Sequence, residues 1–428
     1  MKKFIVLWLG EFISTIGSGM TSFAIGIYMY QVTKSVTWVS IAALLAYLPT
    51  ILLNPVGGVL ADRYDRRLMM IIGDLFSALG LLYILVSIHL GNNGVIPICI
   101  GITISSVFIS LLEPAYKATV TDMLTEDEYA KASGMVQIAG AARYLISPAI
   151  AGIILSFSDI RLILIIDILT IFITVFSASY VRKTITEVKC NKDNLNFFKE
   201  FKEGFKAITN DKGIVDMIIL MAFMCFFIAF IQTLMTPMIL AFADSKTLGI
   251  MESISAVGMM IGSIAIGMMN IKKGYVKILI ISLMLSGLFM GMVGLTTNLM
   301  FILITCILFF TTLPFVNTCA DVLIRINMPN EVQGRAWGII SVLTQIGYII
   351  AYCICGILAD KIFNPMLMKD GILANSLGRI IGTGEGRGIG LMLIIAGAIM
   401  MILAVMLGSK KNIKQMERKN YELVNNQK

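Results

Sequence analysis

Glu11, Asp74 and Arg143 stand inside long apolar runs. A charge centred in a bilayer costs at least ~2.5 kcal/mol, so each of these residues has a partner or a task. Two chemistries fit them. Either they form a buried ion-pair cluster that fastens the first half of the chain, or Glu11 or Asp74 takes up and releases a proton as its surroundings alternate between burial and water. Thr15, Ser18 and Ser22 follow Glu11 at helical spacing and draw a polar stripe along one face, which reads as a water-lined path. Similar stripes run through Ser106, Ser110, Glu113 and Lys117, and through Ser341, Thr344 or Gln345, Tyr348 and Tyr352. Asp321 and Arg325 lie one turn apart and can neutralise each other; with Glu113 they are assigned to structure or gating rather than to ligand contact.

Other reactive groups lead nowhere. The sole histidine, His89, stands at the end of an apolar run and reads as a surface residue. Of seven cysteines, Cys99, Cys225, Cys306, Cys319, Cys353 and Cys355 lie within apolar runs and only Cys190 in a polar stretch, which reads as small apolar packing. Cys353 and Cys355, two apart on a helix, point to different faces and hold no metal. The stretch Gly382, Gly384, Gly386, Gly388 lacks GxGxxG spacing and a preceding strand, so it reads as a flexible loop rather than a nucleotide cradle. No Walker motif, catalytic constellation, cofactor site or metal site is read. Met217, Met221 and Met224 share one helix face, with Met235 and Met238 further along; lipid-facing or packing bulk is preferred to a pliable ligand wall.

The elements that position these residues follow from composition. The 428 residues are 57% hydrophobic and 14% charged, against roughly a quarter charged in soluble domains. Apolar runs long enough for a ~30 Å hydrocarbon core fall near 4–30, 37–61, 68–90, 95–116, 132–157, 160–181, 214–241, 248–271, 276–296, 299–324, 336–361 and 388–409. Such runs must satisfy their own backbone, so they are helices. The reading is an all-α membrane protein with about twelve transmembrane helices in two pseudo-symmetric six-helix bundles, residues 1–182 and 213–409. A cytoplasmic linker spans 183–212, with an amphipathic segment from Phe197 to Ile208, and a basic tail spans 410–428. Arg63, Arg66, Arg67, Lys117, Lys131, Arg182 and Lys183 fall in even-numbered connections, which places both termini in the cytoplasm. The loop 362–387, holding Lys369, Arg379 and Arg387, dissents. The net charge of +8 is this topological bias and the tail, not a sign of nucleic-acid binding. Lys131-Ala132-Ser133-Gly134 and Arg335-Ala336-Trp337-Gly338 open spans five and eleven alike, with Gly152 matching Gly356, which supports duplication.

Between spans two and three stands Gly58-Val59-Leu60-Ala61-Asp62-Arg63-Tyr64-Asp65-Arg66-Arg67, which resembles the cytoplasmic signature of the major facilitator superfamily. The resemblance implies a gate: Gly58 for close packing, Asp62 at a neighbouring helix N-terminus, and Arg63, Arg66 and Arg67 on the inner side, with Glu113, Asp321 and Arg325 as partners. Asp65 departs from the family's glycine. Leu9-Gly10-Glu11-Phe12, Asp74, Pro114-Ala115-Tyr116, Leu124-Thr125-Glu126-Asp127-Glu128 and Ser147-Pro148-Ala149 resemble the macrolide-efflux branch. That branch implies a secondary active transporter of the bacterial cell membrane, working by alternating access and exporting bulky amphiphiles such as macrolide-type drugs in exchange for protons. Its partners would be the bilayer, the drug and the proton, with the chain a monomer. Departures are the absence of an arginine in span four, Ser147-Pro148 and Ala151-Gly152 in span five, and Glu11 where glutamine is common. The competing expectation is a proton-coupled uptake permease for a small solute.

Overall fold

The computed structural model describes residues 1–92, 94–184, 205–206, 208–269, 271, 273–328, 330–413 and 415–417, without side chains at 62, 126, 127, 130, 184, 330–332, 334 and 335. The described residues form helices and no strands. The helices of the first half are α1 (Lys2–Thr33), α2 (Val36–Arg63), α3 (Arg66–His89), α4 (Val95–Met123), α5 (Glu126–Leu145), α6 (Ser147–Leu155) and α7 (Ile160–Thr184). The second half contributes α8 (Lys212–Leu240), α9 (Ser245–Met268), α10 (Tyr275–Val293), α11 (Leu299–Asn327) and α12 (Asn330–Leu358). A π turn (Ala359–Phe363), α13 (Asn364–Leu367), α14 (Gly378–Ile381) and α15 (Arg387–Ser409) complete it. Twelve spans among them are long and apolar enough to cross a membrane. The linker and its amphipathic segment fall outside the described residues for most of their length.

The chain divides into two compact units, Met1–Asp193 with Ala243–Ser253, and Asn194–Phe242 with Ile254–Lys428. In the first, α3 and α2 pack on α4, and α1 packs on α7. In the second, α10 packs on α11 and α15, and α8 on α12. Lipid offers helices no hydrophobic drive to associate, so small residues that let backbones meet carry the packing. A Cβ on Gly80 would sit 2.8 Å from the Ser105 nitrogen, and one on Gly287 would sit 2.6 Å from the Gly397 carbonyl oxygen. Met217, Met224, Met235 and Met238 are buried, so the methionine face is packing bulk and does not face lipid.

Two elements differ from the sequence reading. Span five is one run, Lys131–Leu155, but not one helix: it is interrupted at Ile146, because Pro148 in the first turn of α6 cannot donate to a preceding turn. Span eleven runs on through the π turn into α13, and the glycine-rich segment after it is a loop with defined contacts. Gly382, Gly384 and Gly386 take φ of 90°, 114° and 78°, conformations that only glycine adopts without strain. The Gly384 N–H donates to the Leu367 carbonyl at 2.9 Å. Leu367, Ile381 and Leu391 bury against one another, seating the segment on α15.

Candidate functional site

The signature segment closes one end of the first unit. Asp65 stands at the N-cap of α3, where its Oδ1 accepts from the backbone N–H groups of Arg67 (3.0 Å) and Leu68 (3.3 Å). Its Oδ2 accepts from Nε of Arg182 on α7 at 2.6 Å. The residue that departs from the family's glycine is therefore a cap and a bridge. Partial burial alone would lift its carboxyl; the Arg182 bond, the two backbone donors and the guanidinium charge outweigh that and hold it below its ordinary 3.8. Arg66 reaches Oδ1 of Asp122 on α4 at 2.7 Å and gives Nε–H to the Ala61 carbonyl at 3.0 Å. Arg67 is buried at 6% exposure, and Arg63 is exposed. The Asp62 side chain lies outside those described.

The reason given for Gly58 is corrected. A Cβ there would meet nothing within 4 Å, whereas one on Gly57 would lie 2.7 Å from the Ser110 carbonyl oxygen on α4. The close approach belongs to Gly57. The stripe on α4 is corrected with it: Ser106 and Ser110 are buried, and Ser106 donates to the Leu45 carbonyl on α2 at 2.9 Å, so these hydroxyls serve helix packing. Only at its far end does it open, where half-buried Glu113 and exposed Lys117 pair at 2.6 Å one turn apart. In the second unit Arg325 lies over the Trp337 ring, 5.9 Å from its centroid, and its charge acts on the half-buried Asp321.

Deeper in the first unit the structure gathers Glu11 of α1 and Asp74 of α3. Glu11 is half-buried, within electrostatic reach of Asp74, Glu113 and Tyr116. Asp74 is 5% exposed, and its Oδ2 has no hydrogen-bond partner among the described residues. The stripe on α1 grows more open along its length, from half-buried Thr15 and Ser18 to exposed Ser22. Arg143 does not join these carboxylates in an ion pair: it is exposed and gives Nη2–H to Ser22 Oγ at 3.2 Å.

The sequence reading passed over carboxylates inside the spans, among them Asp167 of α7 and Glu252 of α9. Asp167 of α7 is 1% exposed, and its charge interacts with Asp74 and Arg143. Its signal was present in the sequence, because Thr170, Thr174 and Ser177 continue its face at helical spacing just as the hydroxyls of α1 continue that of Glu11. Among the described residues no group of histidine, cysteine and carboxylate side chains could hold a metal.

Twelve apolar helices in two compact units, with carboxylates buried inside the first, define a multi-pass protein of the bacterial cell membrane. The Major Facilitator Superfamily profile matches residues 7–352, and the chain belongs to that family. It is 25% identical over 365 residues to macrolide efflux protein A of Streptococcus pyogenes, covering 84% of this chain and 90% of that one. It is 24% identical over 302 residues to macrolide efflux protein A of Enterococcus faecalis, covering 69% and 93%. A bacterial homologue of the iron transporter ferroportin, solved in an inward-facing state, superposes with a TM-score of 0.72 at 12% identity over 96% of this chain and 99% of that one.

Proposed function

We propose that this transporter exports bulky amphiphilic compounds, neutral or carrying a basic amine, in exchange for protons. The observation that carries the reading is the pair of half-buried Glu11 and buried Asp74, beside a hydroxyl stripe that opens at Ser22. A carboxylate so placed is a proton site when its surroundings alternate between the two sides of the membrane. Similarity to two proteins named for macrolide efflux supports the direction and the substrate class. The residues 58–67 would form the inner gate, with Arg66 held by Asp122 and Asp65 by Arg182. Alternating access of the two halves then moves substrate one way and protons the other.

The test is expression in a pump-deficient bacterium. The inhibitory concentration of at least one macrolide or hydrophobic cationic dye is expected to rise, and a protonophore to restore accumulation. Glu11→Gln is expected to blunt the dependence of efflux on the pH gradient more than it weakens ligand binding. If no amphiphile in a broad panel is exported and a small polar solute accumulates inside, uptake replaces export.

A further inference from the structure

Asp167 is buried as deeply as any charged residue described, and nothing in the exchange outlined above uses it. Gly17 of α1 packs directly on it: a Cβ there would stand 2.9 Å from Asp167 Oδ1 and 3.3 Å from its Cα. That oxygen has no hydrogen-bond partner among the described residues. The Thr170 hydroxyl donates to the Asp167 backbone carbonyl at 2.8 Å, and the Thr21 side chain, 4% exposed, stands beside the carboxyl group. A buried carboxylate usually fills its acceptor positions with donors. Here one position faces the bare backbone of a glycine, and the group nearest in charge, Arg143, is turned toward Ser22.

The depth of the residue matters as much as its burial. Arg182 at the end of α7 is bonded to Asp65 at the start of α3, so these two helix ends lie at one level. At 1.5 Å per residue, Asp74 lies ~12 Å from that level and Asp167 ~22 Å from it. Glu11 on α1 lies ~14 Å from the start of its helix, and Arg143 ~25 Å from the start of α5. Glu11 and Asp74 thus lie at about one depth and Asp167 ~10 Å beyond Asp74, which is within electrostatic reach of both, and the row ends beside Arg143. The groups that face Asp167 can be named by element: Thr21 on α1, Asp74 on α3 and Arg143 on α5, while α6 carries no ionisable side chain and Glu11 on α1 reaches Asp74 instead.

We propose that Asp167 is the far member of a proton path through the first unit, passing the proton between Asp74 and the face where Arg143 meets Ser22. The step is one proton: an O–H bond forms on the Asp167 carboxylate as hydronium on the Ser22 side gives up its proton, and it breaks as the proton passes, relayed by water over the ~10 Å between them, to the Asp74 carboxylate. Arg143 is a positioning residue, since its charge sets how readily Asp167 lets the proton go. This rests on proton-coupled export, which can fail separately.

The experiment compares wild type, Asp167→Asn, Asp167→Glu and Arg143→Gln in proteoliposomes carrying an exported dye. Two readouts are taken: uphill dye movement driven by an imposed pH gradient, and dye counterflow at equal pH on both sides. Asp167→Asn is expected to lose gradient-driven movement and keep counterflow, a split that a purely structural role would not give. Asp167→Glu keeps both, with the pH midpoint of driven transport moved up by about 0.4 unit, the difference between ordinary aspartate and glutamate. Arg143→Gln also moves the midpoint upward, because removing a cation favours the protonated acid. Gradient-driven movement by Asp167→Asn at the wild-type rate overturns the proposal. If that variant does not reach the membrane, an unchanged midpoint in both Asp167→Glu and Arg143→Gln overturns it. A wild type whose movement ignores the gradient overturns proton coupling itself.

Discussion

Asp65 shows how one side chain can do two jobs that substitution separates. Asparagine at this position still accepts from the backbone of α3 but cannot hold Arg182 by charge. Asp65→Asn is expected to lower stability by less than ~1 kcal/mol, as Arg182 is partly exposed, and Asp65→Ala by about 1 kcal/mol more through loss of the cap. The folded protein holds this carboxyl below 3.8, so the bridge contributes fully above about pH 4 and is lost as the pH falls through the folded value. Melting of the detergent-purified proteins across pH checks the sign: wild type is expected to lead Asp65→Asn at pH 7 and the gap to close toward pH 3. A gap that widens on acidification contradicts the assignment. Asp65 ahead of Arg66, Arg67 and an apolar run is a readable helix start, but Arg182 lies 117 residues away and only folding brings it near. Glu11 and Asp74 were legible because a charge in an apolar run stands out. Asp167 stands out equally, and its role depends on what α1 and α3 place around it.

At the scale of helices, length and hydropathy made all twelve spans legible, since a bilayer leaves the backbone one solution per run. What hydropathy does not report is which small residues touch. Gly26 and Gly267 read like any other helical glycine, yet a Cβ on either meets nothing within 4 Å. On α15, by contrast, a Cβ on Gly397 would stand 2.6 Å from the Gly291 nitrogen and 3.0 Å from its Cα on α10. Backbone cannot step aside as a flexible side chain can, so Gly397→Ala is expected to cost about 1–3 kcal/mol. Gly267→Ala is expected to be neutral or slightly stabilising, because alanine favours the helix and lacks a neighbour to strike. Melting of the two variants in one detergent checks the contrast; equal midpoints would mean that the α10 and α15 contact relaxes freely. The break in span five was half legible, in Pro148. The folded segment after span eleven was not, because its order comes from glycines at positive φ and from a carbonyl on α13.

For the whole molecule, orientation turns on which Lys and Arg residues are loop charges. The loop 362–387 argued against cytoplasmic termini by carrying Lys369, Arg379 and Arg387. Arg387 leaves that tally: it is 3% exposed, lies in the first turn of α15, and gives Nη2–H to the Gly294 carbonyl at 2.7 Å, at the C-terminal end of α10 where the helix dipole welcomes a cation. Lys369 stands next to Asp370, so the loop's net charge is small, while Arg63, Arg66, Lys117, Arg182 and Lys183 crowd the even-numbered connections. Both termini are therefore expected in the cytoplasm, with Asn92, between α3 and α4, outside. The check is a chain freed of its seven cysteines and given one back, at Asn92 or at Lys411. In intact cells a membrane-impermeant maleimide is expected to label Asn92→Cys and spare Lys411→Cys, and permeabilisation to expose Lys411→Cys. The reverse pattern would invert the protein in its membrane, turn the 58–67 segment outward, and remove the ground for reading that segment as the inner gate.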